Sequence, residues 1–183
     1  MTTLTQTRDA LPTGTWQLDP VHSQVGFAVD YLVGTFRGNF SPVEATLEVG
    51  DDGNVSLGGT ALVENIHVQD PNLSGHLLSP DFFDAERTPE LRFASTSVRR
   101  EGETIAIAGE LTIKGVTSAV DLAGTVSEPV AHPDGRERLR LTLETTVDRT
   151  GFGLNWNMPL PSGEPALAND VTLTAEIFFV KAA

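Results

Sequence analysis

Side chains able to do acid–base, nucleophilic or metal chemistry at neutral pH are few in this chain. There are four histidines, His22, His67, His76 and His132. None stands two or four residues from another, so neither a strand-face pair nor the H-E-x-x-H spacing of a zinc helix can form. Cysteine is absent, which removes thiolate ligands, disulfides and cysteine nucleophiles. No G-x-S-x-G elbow occurs, and Ser162-Gly163 lies in a proline-rich stretch without a strand-to-helix turn. Glycine-rich phosphate loops are missing too, since Gly58-Gly59 falls inside a strand-like run. The acidic residues stand mainly at outward or turn positions, where a solvated surface explains them. This inventory points away from an enzyme and implies neither a metal site nor a cofactor.

Two polar clusters remain. Asp19-Pro20-Val21-His22-Ser23 precedes an apolar strand pattern. Its side chains either satisfy backbone groups in a turn or touch a ligand. The second cluster, Gly75-His76-Leu77-Leu78-Ser79-Pro80-Asp81-Phe82-Phe83-Asp84, sets two adjacent phenylalanines beside a histidine. Such a segment either plugs a core or floors a cavity.

The elements that must position these groups are strands. At 183 residues the chain suits one domain. Hydrophobic residues make up 39% and charged residues 20%, enough apolar content for a real core. Twelve basic against 25 acidic side chains leave a net charge of -13. A field of that sign repels nucleic acid and anionic lipid surfaces. The N-terminus has neither the basic nor the apolar region of a signal peptide. No apolar run reaches membrane-spanning length. A cytoplasmic protein with no stable membrane insertion is therefore expected.

Residues 1–13 are polar and threonine-rich and read as a flexible tail, with a single domain over 14–183. From Trp16 onward the hydrophobic period is two. Val25, Phe27, Val29 and Tyr31 alternate with small or polar residues, and Phe36, Gly38 and Phe40 continue on a next strand. The parity changes after Ser41-Pro42, as at a bulge or bend, to Val43, Ala45, Leu47 and Val49. Further alternating runs follow over 55–63, 91–97, 105–113, 120–126, 139–147 and 171–179. Turn signals at Asp52-Gly53, Glu101-Gly102 and Asp134-Gly135 separate several of them. Only residues 70–86 read as helical, as two short turns entered at Asp70-Pro71 and Ser79-Pro80. About eight antiparallel strands with one helical insertion fit either a closed barrel or a sandwich. The inward glycines Gly38, Gly59, Gly109 and Gly124 favour a barrel, by permitting curvature or leaving room inside.

The same residues carry a family resemblance. Trp16-x-Leu18-Asp19-x-x-His22-Ser23-x-Val25-x-Phe27-x-Val29 and Phe36-Arg37-Gly38-x-Phe40 resemble the opening of the YceI-like, polyisoprenoid-binding family. The likeness continues through His76-Leu77-x-Ser79-x-Asp81-Phe82-Phe83-Asp84, Pro89-x-Leu91-x-Phe93-x-Ser95-Thr96, Gly109-x-Leu111-Thr112-Ile113-Lys114-Gly115-Val116-Thr117 and Arg149-x-Gly151-Phe152-Gly153-Leu154. It covers the chain from about residue 14 onward. The resemblance implies a lipocalin-like extended eight-stranded antiparallel β-barrel holding a polyisoprenoid or isoprenoid quinone, for carriage or storage. A homodimer is implied by analogy. Three positions depart from the family pattern. Tyr31 stands where His is common, Ser74-Gly75 where Arg-Asp is common, and Gly151 where Asp is common. These changes bear on headgroup preference.

Physical estimates fit an apolar cargo. A ten-residue strand tilted by roughly 40° frames a tunnel of about 25 Å. Each five-carbon isoprene unit transferred from water contributes roughly 3–4 kcal/mol gross. The expected lining is Phe27, Val29, Tyr31, Phe36, Phe40, Phe82, Phe83, Phe93, Leu111, Ile113, Phe152 and Trp156. His22, Arg37, His76, Lys114 and Arg149 are the candidates for a mouth that greets a polar head. Two rival readings stand beside the carrier: a barrel enzyme using His22, Asp19 and Tyr31 on an apolar substrate, and a ligand-free dimeric scaffold.

Overall fold

A computed structural model describes residues 10–182, and alternation has become strands throughout. In chain order they are β1 (Gly14–Leu18), β2 (Gln24–Tyr31), β3 (Gly34–Phe40), β4 (Val43–Val49), β5 (Val55–Leu62) and β6 (Ile66–His67). The helix α1 (Pro71–Leu78) follows, then β7 (Glu90–Glu101), β8 (Thr104–Ile113), β9 (Val116–Val126), β10 (Val130–Ala131), β11 (Glu137–Asp148) and β12 (Leu167–Lys181). Eight of them close a ring in the order β1–β4–β5–β7–β8–β9–β11–β12 and back to β1, every pair antiparallel. Closure decides for the barrel over the sandwich.

The long strand β12 is shared. One edge pairs with β11 from Asp170 to Val180. The other edge pairs with β1 at Phe179–Lys181 but with β2 between Leu167 and Glu176. β2, β3 and β6 thus extend the sheet beyond the ring at one end. The parity change at Ser41-Pro42 is a strand boundary rather than a bulge. β3 ends there and pairs with β2 and β6, while β4 pairs with β1 and β5.

α1 begins as its sequence predicts: the Asp70 carboxylate accepts from the Asn72 amide at 2.7 Å, with proline at the first helical position. The second predicted helical turn does not form. Pro80 has no N–H to continue the ladder, and the residue before it, Ser79, is pushed to extended backbone at ψ 167°. Ser79 caps the end of α1, its hydroxyl donating to the His76 carbonyl at 2.6 Å. Non-helical turns then carry Phe82 and Phe83, the Phe83 amide donating back to Leu77 O at 3.0 Å.

Residues 10–13, expected as the end of a flexible tail, lie against the barrel. Residues 1–9 lie outside the described residues, but Leu11 is buried in the core and the Trp16 indole donates to Pro12 O at 3.0 Å. The Arg100 guanidinium, itself buried, donates to Ala10 O at 3.1 Å. Burial of these polar and apolar partners draws the segment onto the barrel.

The interior divides into two clusters. One packs Trp16, Leu47, Ile105, Ile107, Leu139, Leu141, Ile177 and Phe179 around the β1–β12 closure. The other gathers Val29, Phe40, Val43, Leu77, Phe82, Ile113, Phe152 and Leu154 under α1 and the 149–156 segment. Two of the inward glycines do not leave room. An ideal Cβ on Gly109 would meet Phe93 Cζ at 2.5 Å, and one on Gly38 would meet Phe27 Cζ at the same distance. The aromatic ring lies across the glycine of the neighbouring strand and fills the space. Gly124 serves a close backbone approach, since a Cβ there would lie 1.6 Å from Thr142 O.

Candidate functional site

The second cluster surrounds a cavity of about 560 Å³, within the roughly 300–1,000 Å³ range of small-molecule pockets. Its wall is made by inward residues of most ring strands, by β2 and β3, by Leu73, His76 and Leu77 of α1, and by Phe152, Leu154 and Trp156. Its floor reaches the filled cluster at Leu57, Leu143 and Ile177. The full-length tunnel expected from strand dimensions is therefore corrected to a cavity in one end, because the large side chains around Trp16 occupy the other.

All twelve expected lining residues border this cavity: Phe27, Val29, Tyr31, Phe36, Phe40, Phe82, Phe83, Phe93, Leu111, Ile113, Phe152 and Trp156. Their rings form two linked groups. Phe27 lies 5.8 Å from Phe36 and 6.0 Å from Phe40, which meets Phe83 edge-on at 5.9 Å. His76 meets both Phe82 and Trp156 edge-on at 5.0 Å. Pairs of this kind add about 0.5–1.5 kcal/mol each beyond burial and make a stiff wall. Sequence reading passed over Leu73, Leu154, Val171, Leu173 and Ala175, which also line the cavity. The signal for the last three was present in the alternation of 171–179, while Leu73 and Leu154 follow only from where α1 and the 149–156 segment pack.

The five expected mouth residues separate. His76 and Arg149 border the cavity, whereas His22, Arg37 and Lys114 do not. His22 is exposed, its Nδ1 2.7 Å from an Asp19 carboxylate oxygen and its ring beside Phe178. Lys114 is committed to two backbone carbonyls, Pro80 O at 2.7 Å and Gly153 O at 3.3 Å. Arg37 is exposed on β3. Arg149 is no free cation at a mouth. It is buried and donates to Ala168, Leu154 and Trp156 carbonyls at 2.6–2.8 Å and to Leu167 at 3.4 Å. Burial lowers its pKa from the usual arginine value, partly opposed by Asp148. It ties the 149–156 segment to the start of β12, which a neutral side chain with fewer donors would not do.

Little polar chemistry faces the void. His76 Nε2 is 3.1 Å from an Asp81 carboxylate oxygen. Glu44, Thr60 and Arg92, in register across β4, β5 and β7, border it where the intervening inward residues Ala45, Gly59 and Ala61 are small. Asp19 and His22, two of the three groups named for an enzyme reading, are paired with each other away from the cavity, and Tyr31 alone of the three is on its wall.

Comparison with known proteins matches this architecture. The profile of the family described as YceI-like domain matches residues 16–179. A UPF0312 protein of Staphylococcus aureus is 27% identical over 168 residues, covering 88% of this chain and 94% of that protein. The crystal structure of BcnA from Burkholderia cenocepacia superposes with a TM-score of 0.74 at 20% identity, covering 88% of this chain and 98% of that one. A polyisoprenoid binding domain from Saccharophagus degradans, implicated in plant cell wall breakdown, superposes at 0.67 and 11% identity, covering 93% and 100%. At these identities the two structures share the barrel fold.

Proposed function

The chain belongs to the YceI-like domain family, and from that premise and its cavity we propose that it binds a long apolar lipid, a polyisoprenoid or isoprenoid quinone, for carriage or storage. One observation carries the reading: an inner face rich in leucine, valine and phenylalanine stands uncovered around a partly open cavity of about 560 Å³. An apolar void of that size takes apolar guests in place of water. Binding needs no charged anchor. At roughly 0.8 kcal/mol per buried CH₂, a few isoprene units offset the cost of ordering the chain. The polyisoprenoid-binding neighbour from Saccharophagus degradans supports the ligand class. Our reading is of binding rather than turnover, in the cytoplasm.

Organic extraction of the purified protein followed by mass spectrometry tests this, beside an unrelated acidic protein treated alike. A stoichiometric isoprenoid absent from the control is expected. An empty extract, repeated after incubation with geranylgeraniol, would overturn the lipid reading. Ala61, inward on β5 and bordering the cavity, gives the companion variant: Ala61→Leu should fold and retain less lipid.

A further inference from the structure

Exposed apolar side chains are concentrated at one place on this molecule. β2, β5, β8 and β11 end, and β4, β7, β9 and β12 begin, at the rim that carries α1 and the cavity. Seven large apolar residues are exposed among the described residues, and five of them, Leu32, Val33, Leu62, Val116 and Met158, sit at this rim. Val33, at the tip of the β2–β3 hairpin, is completely bare. Leu32 beside it is held at φ 53°, where turn chemistry alone would select Asn or Gly.

Two segments of this rim carry no charge of their own. Residues 31–36 and 150–163 contain no charged side chain, although one residue in five of the whole chain is charged. The two segments adjoin through backbone hydrogen bonds, from Leu32 N to Ala166 O and from Ala166 N to Met158 O, both 2.9 Å. Together they form a strip, from the hairpin tip to residue 163, whose own side chains carry no charge. It is bordered by Asp30, which accepts from the Thr35 hydroxyl at 3.2 Å, by Lys114, which donates to Gly153 O at 3.3 Å, and by Glu164. Tyr31 and Trp156, rings with an apolar body and a polar end, border the cavity along the same two segments.

We propose that this strip docks on the neutral surface of a lipid bilayer, where an apolar chain passes between the bilayer and the cavity. The proposal rests on the lipid reading of that cavity. Two observations select a bilayer as the occupant. A long apolar chain is insoluble, so it reaches the cavity from a lipid phase, and the strip is continuous with the cavity wall. With no charge on its own side chains and charged groups only at its borders, the strip loses little ion hydration against zwitterionic headgroups, whereas the net charge of -13 repels the body from an anionic surface. Contact is confined to a few rim side chains, so docking is reversible and spans nothing.

The test uses the whole protein, pure phosphatidylcholine vesicles, and vesicles of equal phosphatidylcholine and phosphatidylglycerol. Wild type should float with the first at low salt and less with the second. The double variant Leu32→Ser, Val33→Ser replaces residues that do not line the cavity. It should lose flotation and take up a fluorescent geranylgeranyl probe from phosphatidylcholine vesicles about tenfold more slowly. Its affinity for free geraniol in solution should match wild type. Uptake from vesicles at the wild-type rate would overturn the proposal. So would equal loss of geraniol binding, which would make the tip part of the cavity. A variant that turns a wild-type dimer into a monomer, with neither protein floating, would assign the strip to a second copy instead. Wild type that floats but binds no geraniol would keep the docking surface and remove the cavity reading.

Discussion

The two ends of this barrel are built from the same strands with the same alternation, yet one is solid and the other hollow. β8 shows the contrast within ten residues. Ile105 and Ile107 are each 1% exposed, while Leu111 on the same face, two positions past Gly109, is only half-buried and borders the cavity. At the solid end Trp16 and Phe179, both 0% exposed, reach across the ring. At the hollow end the inward set on β4 and β5 is Val43, Ala45, Gly59 and Ala61, three of them small. There β12 also exchanges β1 for β2 as its neighbour. A period of two fixes which face a side chain occupies; whether that face is covered depends on the sizes of partners from distant strands.

The largest expected effect comes from making one substitution at both ends. Leu141→Ala in the solid end should cost about 2–5 kcal/mol, because it opens a hole in close-packed surroundings. Leu111→Ala should cost about 1 kcal/mol, since part of that side chain already faces a void. Urea denaturation of both variants reads the difference, and equal losses would break the contrast. Next is Gly109→Ala, whose Cβ would fall 2.5 Å from Phe93 Cζ and 2.6 Å from Ala94 O. Overpacking there should destabilise by about 1–3 kcal/mol in the same assay. An unchanged midpoint would mean that the Phe93 ring is free to leave.

The smallest effect lies at the handover between the ends, where the Asp19 amide donates to Phe178 O at 2.7 Å. The hydrogen bond from His22 holds the Asp19 carboxyl below its ordinary value of 3.8, against some desolvation. A carboxyl depressed in the folded state stabilises above its unfolded pKa, and that contribution is lost as pH falls through the folded value. Wild type should therefore lose a little more melting temperature than Asp19→Asn between about pH 5 and pH 2. The difference should stay within about 1 kcal/mol because His22 is largely solvated. Parallel melting curves would show that the handover does not depend on this pair.

Strand identities and the strand-borne part of the aromatic wall were legible in the sequence because both rest on local period, whereas Phe82, Phe83, Phe152 and Trp156 lie outside the strands. Phe27, Val29 and Tyr31 read as one face of a strand from their spacing alone, and all three border the cavity. Arg149 was not legible as a buried tie. Its four carbonyl partners come from residues 154–168, which approach it only once the 149–156 segment has folded back. Gly38 and Gly109 misled for a similar reason: a missing side chain reads as space, and nothing local says that Phe27 or Phe93 will lie over it. Ser79-Pro80 combined a helix-start signal with the pre-proline restriction, and the restriction won.

Pairing of β1 with the last residues of β12 also sets an order of events. The Phe178 amide donates to the Ser23 hydroxyl across 155 positions of sequence, and Trp16 sits opposite Lys181. Hairpins such as β4–β5 and β7–β8 form from local contacts, but the ring cannot be completed until residues 179–181 are available. Loop-closure entropy must be overcome at that seam before the contacts around Trp16 repay it. On a ribosome the solid end would therefore be the last part to become solid, with the staves of the barrel already standing.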